Sequence, residues 1–115
     1  MVIIMYHNPR CTKSRQTLQL LKEQGIEPDI IEYLKTPPSR QTLSEILEML
    51  AMEPRDLMRR KEAVYKEMHL DDPRLSHDEL LAAMVANPIL IERPIVVNGK
   101  RAAVGRPPEN VLEIL

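Results

Sequence analysis

The chain has 115 residues, 43% of them hydrophobic and 29% charged, with a formal net charge of -1. That is the size and composition of one domain around one core, without the bulk charge that draws a protein to nucleic acid or to a membrane surface. No apolar run approaches the roughly 20 residues that span a bilayer, and no basic segment followed by a long apolar stretch marks a signal peptide.

Taken in chain order, Val2 to Tyr6 is a short β-branched strand, followed by a tight loop and a helix from about Thr12 to Gln24. Gly25 stops that helix in the usual position after its last turn, and Leu18, Leu21 and Leu20 form its inward face. Asp29 to Tyr33 reads as a second strand, and strand, helix, strand with a long crossover predicts parallel pairing. Pro37-Pro38 ends this unit. Ser39 is a candidate N-cap for a helix from Arg40 to Met52, with Leu43, Ile46, Leu47 and Leu50 on one face. Pro54 opens a short helix through Leu57 and Met58, Glu62 to Met68 is a further helical piece, and Ser76 with Glu79 forms a capping box ahead of Leu80, Leu81, Met84 and Val85. Residues 37–87 are thus expected to be a helical insert packed on the sheet within a single domain spanning 1–115. Asn98-Gly99 between Ile95–Val97 and Arg101–Val104 is a hairpin signal, and Pro107-Pro108 starts a last helix with Val111, Leu112, Ile114 and Leu115. The layout is α/β: βαβ, helical insert, ββα. Phe and Trp are absent, so methionines such as Met49, Met52, Met58, Met68 and Met84 are expected to fill gaps in the core.

Chemistry concentrates around the single cysteine. One cysteine excludes an internal disulfide, a Cys-x-x-Cys pair and a multi-cysteine zinc site, so no metal is expected. An unpaired cysteine suits a reducing compartment, hence a cytoplasmic location. A lone cysteine is more often a small buried hydrophobe than a catalyst. Cys11, however, stands where the loop turns into the first helix, beside unpaired backbone N–H groups and the positive end of the dipole, with Arg10, Lys13 and Arg15 close in sequence. Each of these favours the thiolate, which is the nucleophile. Ser14, one turn on, is placed to hydrogen-bond the sulfur through its hydroxyl, or to be an ordinary solvent-facing or capping serine. His7 either holds a proton and orients the loop or is a hydrogen-bonded loop histidine. Arg93 and Arg106 each precede a proline, which restricts their backbones, and Arg59 closes Arg55-Asp56-Leu57-Met58-Arg59. Such arginines make either a bidentate cradle for a tetrahedral oxyanion or surface ion pairs. Arg60, Lys61 and Arg101 are read as surface charges.

These residues resemble the glutaredoxin-coupled arsenate reductase (ArsC) family over essentially the whole length. The similarity is carried by Tyr6-His7-Asn8-Pro9-x-Cys11-x-x-Ser14-Arg15, Tyr33-Leu34 with Pro37-Pro38-Ser39-Arg40, Leu57-Met58-Arg59, Asn87-Pro88-Ile89-Leu90-Ile91-x-Arg93-Pro94-Ile95-Val96-Val97 and Arg106-Pro107-x-Glu109. The resemblance implies a thioredoxin-like fold with a helical insertion and a cis peptide before Pro94. It implies arsenate reduction with Cys11 as nucleophile, His7 and Ser14 beside it, and Arg59, Arg93 and Arg106 holding the oxyanion. Glutathione would be a co-substrate and glutaredoxin a partner, with no bound cofactor. Two other readings stay open. Spx-type transcription regulators that bind RNA polymerase share the insert and the Arg-Pro-Ile strand, but generally carry Cys-x-x-Cys where this chain has Ser14. A monothiol glutaredoxin-like exchanger would need Cys11 but not the three arginines. Thr12 and Lys13 replace a smaller pair found in the best-known reductases, and Lys13 adds a charge expected to affect which thiol partner docks.

Overall fold

The computed structural model describes residues 2–115, which form two compact units. The first comprises residues 2–36 and Arg93–Leu115. Its four-stranded sheet has the order β2-β1-β3-β4, from β1 (Ile3–His7), β2 (Asp29–Glu32), β3 (Ile95–Asn98) and β4 (Arg101–Val104). β1 runs parallel to β2, with Met5 opposite Ile30, and antiparallel to β3, with Met5 opposite Val96. With α1 (Thr12–Glu23) crossing between β1 and β2, this is the thioredoxin-like arrangement that the resemblance implies.

Short-range signals explain most element ends. α1 finishes with Gly25 at φ 75, Gly25 N–H donating to Lys22 O and Ile26 N–H to Leu21 O. These two bonds make a Schellman closure, and Ile26 packs against the cluster that holds Leu21. At the hairpin, Asn98 pairs with Arg101, so Gly99 and Lys100 are the two turn residues, one position later than the Asn-Gly signal suggests. Only Gly99 has positive φ, the pattern of a type II′ turn. The core of this unit is Met5, Leu21, Val96, Val111 and Ile114. The last element, Pro108–Ile114, is a 3-10 helix and not the α-helix expected. With three residues per turn, Pro108, Val111 and Ile114 fall on one buried face, which leaves Leu112 and Leu115 exposed.

The second unit, Pro37–Glu92, is helical: α2 (Arg40–Leu50), α3 (Ala63–Glu67) and α4 (His77–Ala86), with 3-10 turns at Pro54–Leu57 and Pro88–Leu90. The Ser39 hydroxyl accepts from Thr42 N–H, and Ser76 and Glu79 form the reciprocal capping box. Leu43, Ile46 and Leu47 of α2 and Leu80, Leu81 and Met84 of α4 are buried, as is Met58, whereas Met68 is exposed and fills no gap.

α2 ends two residues before the expected Met52 because Ala51 adopts the left-handed conformation, φ 55, closing the helix with Met52 N–H on Leu47 O. An L-residue pays about 1–2 kcal/mol there. Ala51→Gly removes that strain and gives back about 0.4–1 kcal/mol as unfolded-chain entropy. The variant is therefore expected to gain roughly 0.5–1 kcal/mol, read as a Tm higher by about 2–4 °C. An unchanged or lower Tm would show that Ala51 is unstrained.

Candidate functional site

The site is built in the first unit, where β1 delivers a loop into α1. Cys11 is the N-cap residue of α1, in extended conformation, and its own N–H donates to Asn8 O at 3.0 Å. No side chain caps this helix. The backbone N–H groups of Lys13 and Ser14 nonetheless favour the charged sulfur. Cys11 is 9% exposed, and that burial by itself pushes the thiol up. Against burial act the Ser14 N–H, the Arg93 charge, the Lys13 N–H and a hydrogen bond from Arg93, and the net direction is below the ordinary thiol value. The cation that acts most on the sulfur is thus Arg93, two residues ahead of β3. Lys13 helps through its backbone. Arg15 reaches Pro9 O (3.0 Å) and Thr12 Oγ1 (3.3 Å), tying the loop to the helix it precedes.

His7 and Ser14 form one hydrogen-bonded pair, Nδ1 to Oγ 2.6 Å, with both side chains buried. Ser14 Oγ also accepts from Asn8 N–H at 3.0 Å. Burial first, then the nearby charge of Arg15, hold the His7 imidazole below its ordinary value, against an opposing pull from Glu32. His7 is therefore neutral at pH 7. A neutral imidazole accepts the Ser14 hydroxyl at Nδ1; in the other tautomer it donates there and leaves the hydroxyl hydrogen free. Ser14 thus meets the sulfur through its N–H, while its hydroxyl is engaged with His7 and the loop backbone.

Arg93 and Arg106 lie in the same corner. Arg106 Nη1 donates to Arg93 O at 3.4 Å, and Gly105 N–H donates to Pro94 O at 2.9 Å, lacing the two arginine-bearing segments together. Both arginines precede cis prolines: the Arg93–Pro94 isomer was implied by the resemblance, and the Arg106–Pro107 isomer was not foreseen. The structure therefore brings Cys11, His7, Ser14, Arg93 and Arg106 into one unit. Arg59 belongs to the helical unit, where its N–H donates to Leu90 O and its guanidinium pairs with Glu62 at 2.8 Å. Among the described residues no group of three His, Cys, Asp or Glu side chains could hold a metal ion, and no helix is long and apolar enough to cross a membrane.

Two contributors escaped the reading of the sequence. Thr17 is wholly buried with its hydroxyl on Lys13 O, and Gly105 is buried against it. A threonine in a helix and a glycine just after a strand carry no local mark of such a contact.

Comparison with known proteins agrees with this geometry. The profile of the ArsC family matches residues 6–114. An uncharacterised Escherichia coli K12 protein, YfgD, is 56% identical over 96% of this chain and 94% of its own. An arsenate reductase of Haemophilus influenzae is 49% identical over the full length of both chains. The solved structure of an arsenate reductase from Vibrio cholerae superposes with a TM-score of 0.97 at 54% identity, covering 100% of this chain and 98% of that one. On the profile match and these full-length identities, the chain belongs to the ArsC family.

Proposed function

We propose that this protein reduces arsenate to arsenite, with Cys11 as the nucleophile and two external thiols as the reductant. The observation that carries the reading is the Cys11 sulfur, buried but held toward the thiolate by two backbone N–H groups and Arg93, in a chain so similar to arsenate reductases.

The Cys11 thiolate attacks arsenic, an As–O bond breaks, and that oxygen leaves as water after taking up protons, giving a sulfur–arsenic(V) adduct. Arg93 and Arg106 stabilise the charge on the remaining oxygens. Arg59 is assigned to substrate binding on the family pattern alone. His7 and Ser14 fix the loop around the sulfur. Because the chain has one cysteine, no internal disulfide can carry away the oxidising equivalents. Glutathione attacks the adduct, and glutaredoxin completes the reduction. Two electrons pass from the two external thiols to arsenic, the thiols leave as a disulfide, and arsenite is released with Cys11 regenerated. Phosphate competes for the arginines but is not reduced by thiols. The reaction fits a cytoplasmic, thiol-rich setting.

The test is NADPH oxidation coupled through glutathione reductase, with arsenate, glutathione and glutaredoxin. Turnover is expected with the complete mixture, competitively inhibited by phosphate and lost when either glutathione or glutaredoxin is omitted. Turnover without glutaredoxin would overturn the assigned partner. No turnover in the complete mixture, with Cys11 still reactive toward iodoacetamide, would overturn arsenate as the substrate. Thiol exchange on a glutathionylated peptide would then mark a monothiol exchanger instead.

A further inference from the structure

Gly105 has no positive φ that would require glycine, so its requirement is one of space. A Cβ built on it would lie 2.5 Å from Thr17 Oγ1, 2.8 Å from Pro94 Cγ and 3.1 Å from Thr17 Cγ2. Helix α1 thus approaches the two arginine-bearing segments more closely than any side chain at position 105 permits. Thr17 is the helix side of this contact. It is fully buried, and its hydroxyl donates to Lys13 O at 2.8 Å, one turn back, which fixes its rotamer. Lys13 and Ser14 are the residues whose N–H groups face the Cys11 sulfur. On the other side, Gly105 N–H on Pro94 O and Arg106 on Arg93 O join the arginine segments to each other.

We infer that Thr17 and Gly105 are positioning residues that set the distance between the Cys11 sulfur and Arg93, with Arg106 carried on the same contact. The inference rests on the reading of these arginines as part of the site and adds what holds them there. Neither residue touches the reacting atoms. A packed interior does not deform continuously, so a methyl group at position 105 must move one segment away from the other. The side-chain charge that acts most on the sulfur is that of Arg93, and the nearby His7–Ser14 pair is neutral.

The measurement is the pH dependence of Cys11 alkylation by iodoacetamide in the full-length protein. It involves no arsenate and so separates this inference from the proposed reaction: missing turnover in wild type overturns the reaction, not the positioning. Gly105→Ala and Thr17→Ala are each expected to raise the alkylation midpoint by about half a pH unit or more, a fraction of what an opposite charge at close range contributes. Thr17→Ser keeps the hydroxyl and is expected to stay at the wild-type midpoint. In an Arg93→Ala background the same substitutions should produce no further shift, because they act through Arg93. A lower Tm with an unchanged midpoint in both variants would reduce the contact to packing and overturn the inference. So would a shift that persists undiminished without Arg93. If Gly105→Ala does not fold, the two Thr17 variants decide by the same criteria.

Discussion

Cys11→Ser is expected to abolish arsenate reduction while leaving the fold intact or slightly more stable. The two effects separate because of where Cys11 sits. It occupies the N-cap of α1 without a side-chain cap bond, and the Lys13 and Ser14 N–H groups, which would donate to a capping oxygen, favour the charged sulfur. Serine is among the best N-cap residues, worth on the order of 1 kcal/mol over a non-capping one. The substitution therefore places a good cap on the helix, changes little volume in a site that is 9% exposed, and removes the only thiol in the chain. A serine hydroxyl stays protonated at neutral pH where the thiol is held toward the thiolate, so turnover should fall to the uncatalysed background. Circular dichroism and a melting curve check the fold, and the coupled NADPH assay checks the activity. Measurable turnover by a folded Cys11→Ser protein would remove Cys11 from the chemistry. A Tm lowered by more than about 4 °C, the equivalent of about 1 kcal/mol, would show that the sulfur is a packing group first.

What was legible in the sequence is what local chemistry decides. Gly25 closes α1, Ser39 and Ser76 cap α2 and α4, and the β-branched Val2–Tyr6 run yields a strand displaced by one residue, Ile3–His7. The cysteine at a strand-to-helix turn is likewise a local pattern, and its setting pointed to a thiolate. The source of the stabilising charge was not legible. Arg10, Lys13 and Arg15 are close in sequence, but Arg15 is spent on Pro9 O and Thr12, and Arg93 from the far end of the chain lies by the sulfur. Sequence proximity on a helix N-terminus fixes backbone N–H groups reliably and long flexible side chains poorly. The Ser14 hydroxyl, which the sequence leaves open between the sulfur and an ordinary solvent-facing or capping role, is a like case. Its partner, His7, lies on the strand that enters the loop, a pairing that depends on how the loop folds back. The 3-10 form of Pro108–Ile114 was hidden because Val111, Leu112, Ile114 and Leu115 fit a 3.6-residue period as well as a 3-residue one. The burial of Pro108, Val111 and Ile114 decides between them.

Arg93→Ala is expected to damage binding and nucleophile activation together, with little cost to the fold. Arg93 is half-buried, acts on the Cys11 sulfur both by charge and by a hydrogen bond, and its carbonyl is the acceptor for Arg106. Alanine keeps that carbonyl and removes the side chain beyond Cβ, the guanidinium included. Hydrogen bonds to a charged group are worth about 1.5–3 kcal/mol each, so kcat/KM for arsenate should fall by roughly 10- to 100-fold, mostly through KM. The thiol effect adds to this and has its own signature. In wild type the thiolate persists below the ordinary cysteine range. Without Arg93, burial is opposed chiefly by the backbone N–H groups, so the alkylation midpoint moves to higher pH and the activity profile moves with it. At a pH well above both midpoints the thiol is ionised in either protein. There the kcat difference should narrow while the KM difference remains, which separates loss of nucleophile activation from loss of oxyanion binding. Melting curves should stay within about 4 °C of wild type. The opposite outcome, a large fall in Tm with unchanged arsenate KM and an unchanged alkylation midpoint, would make Arg93 a structural arginine and leave Arg106 to hold the oxyanion without it.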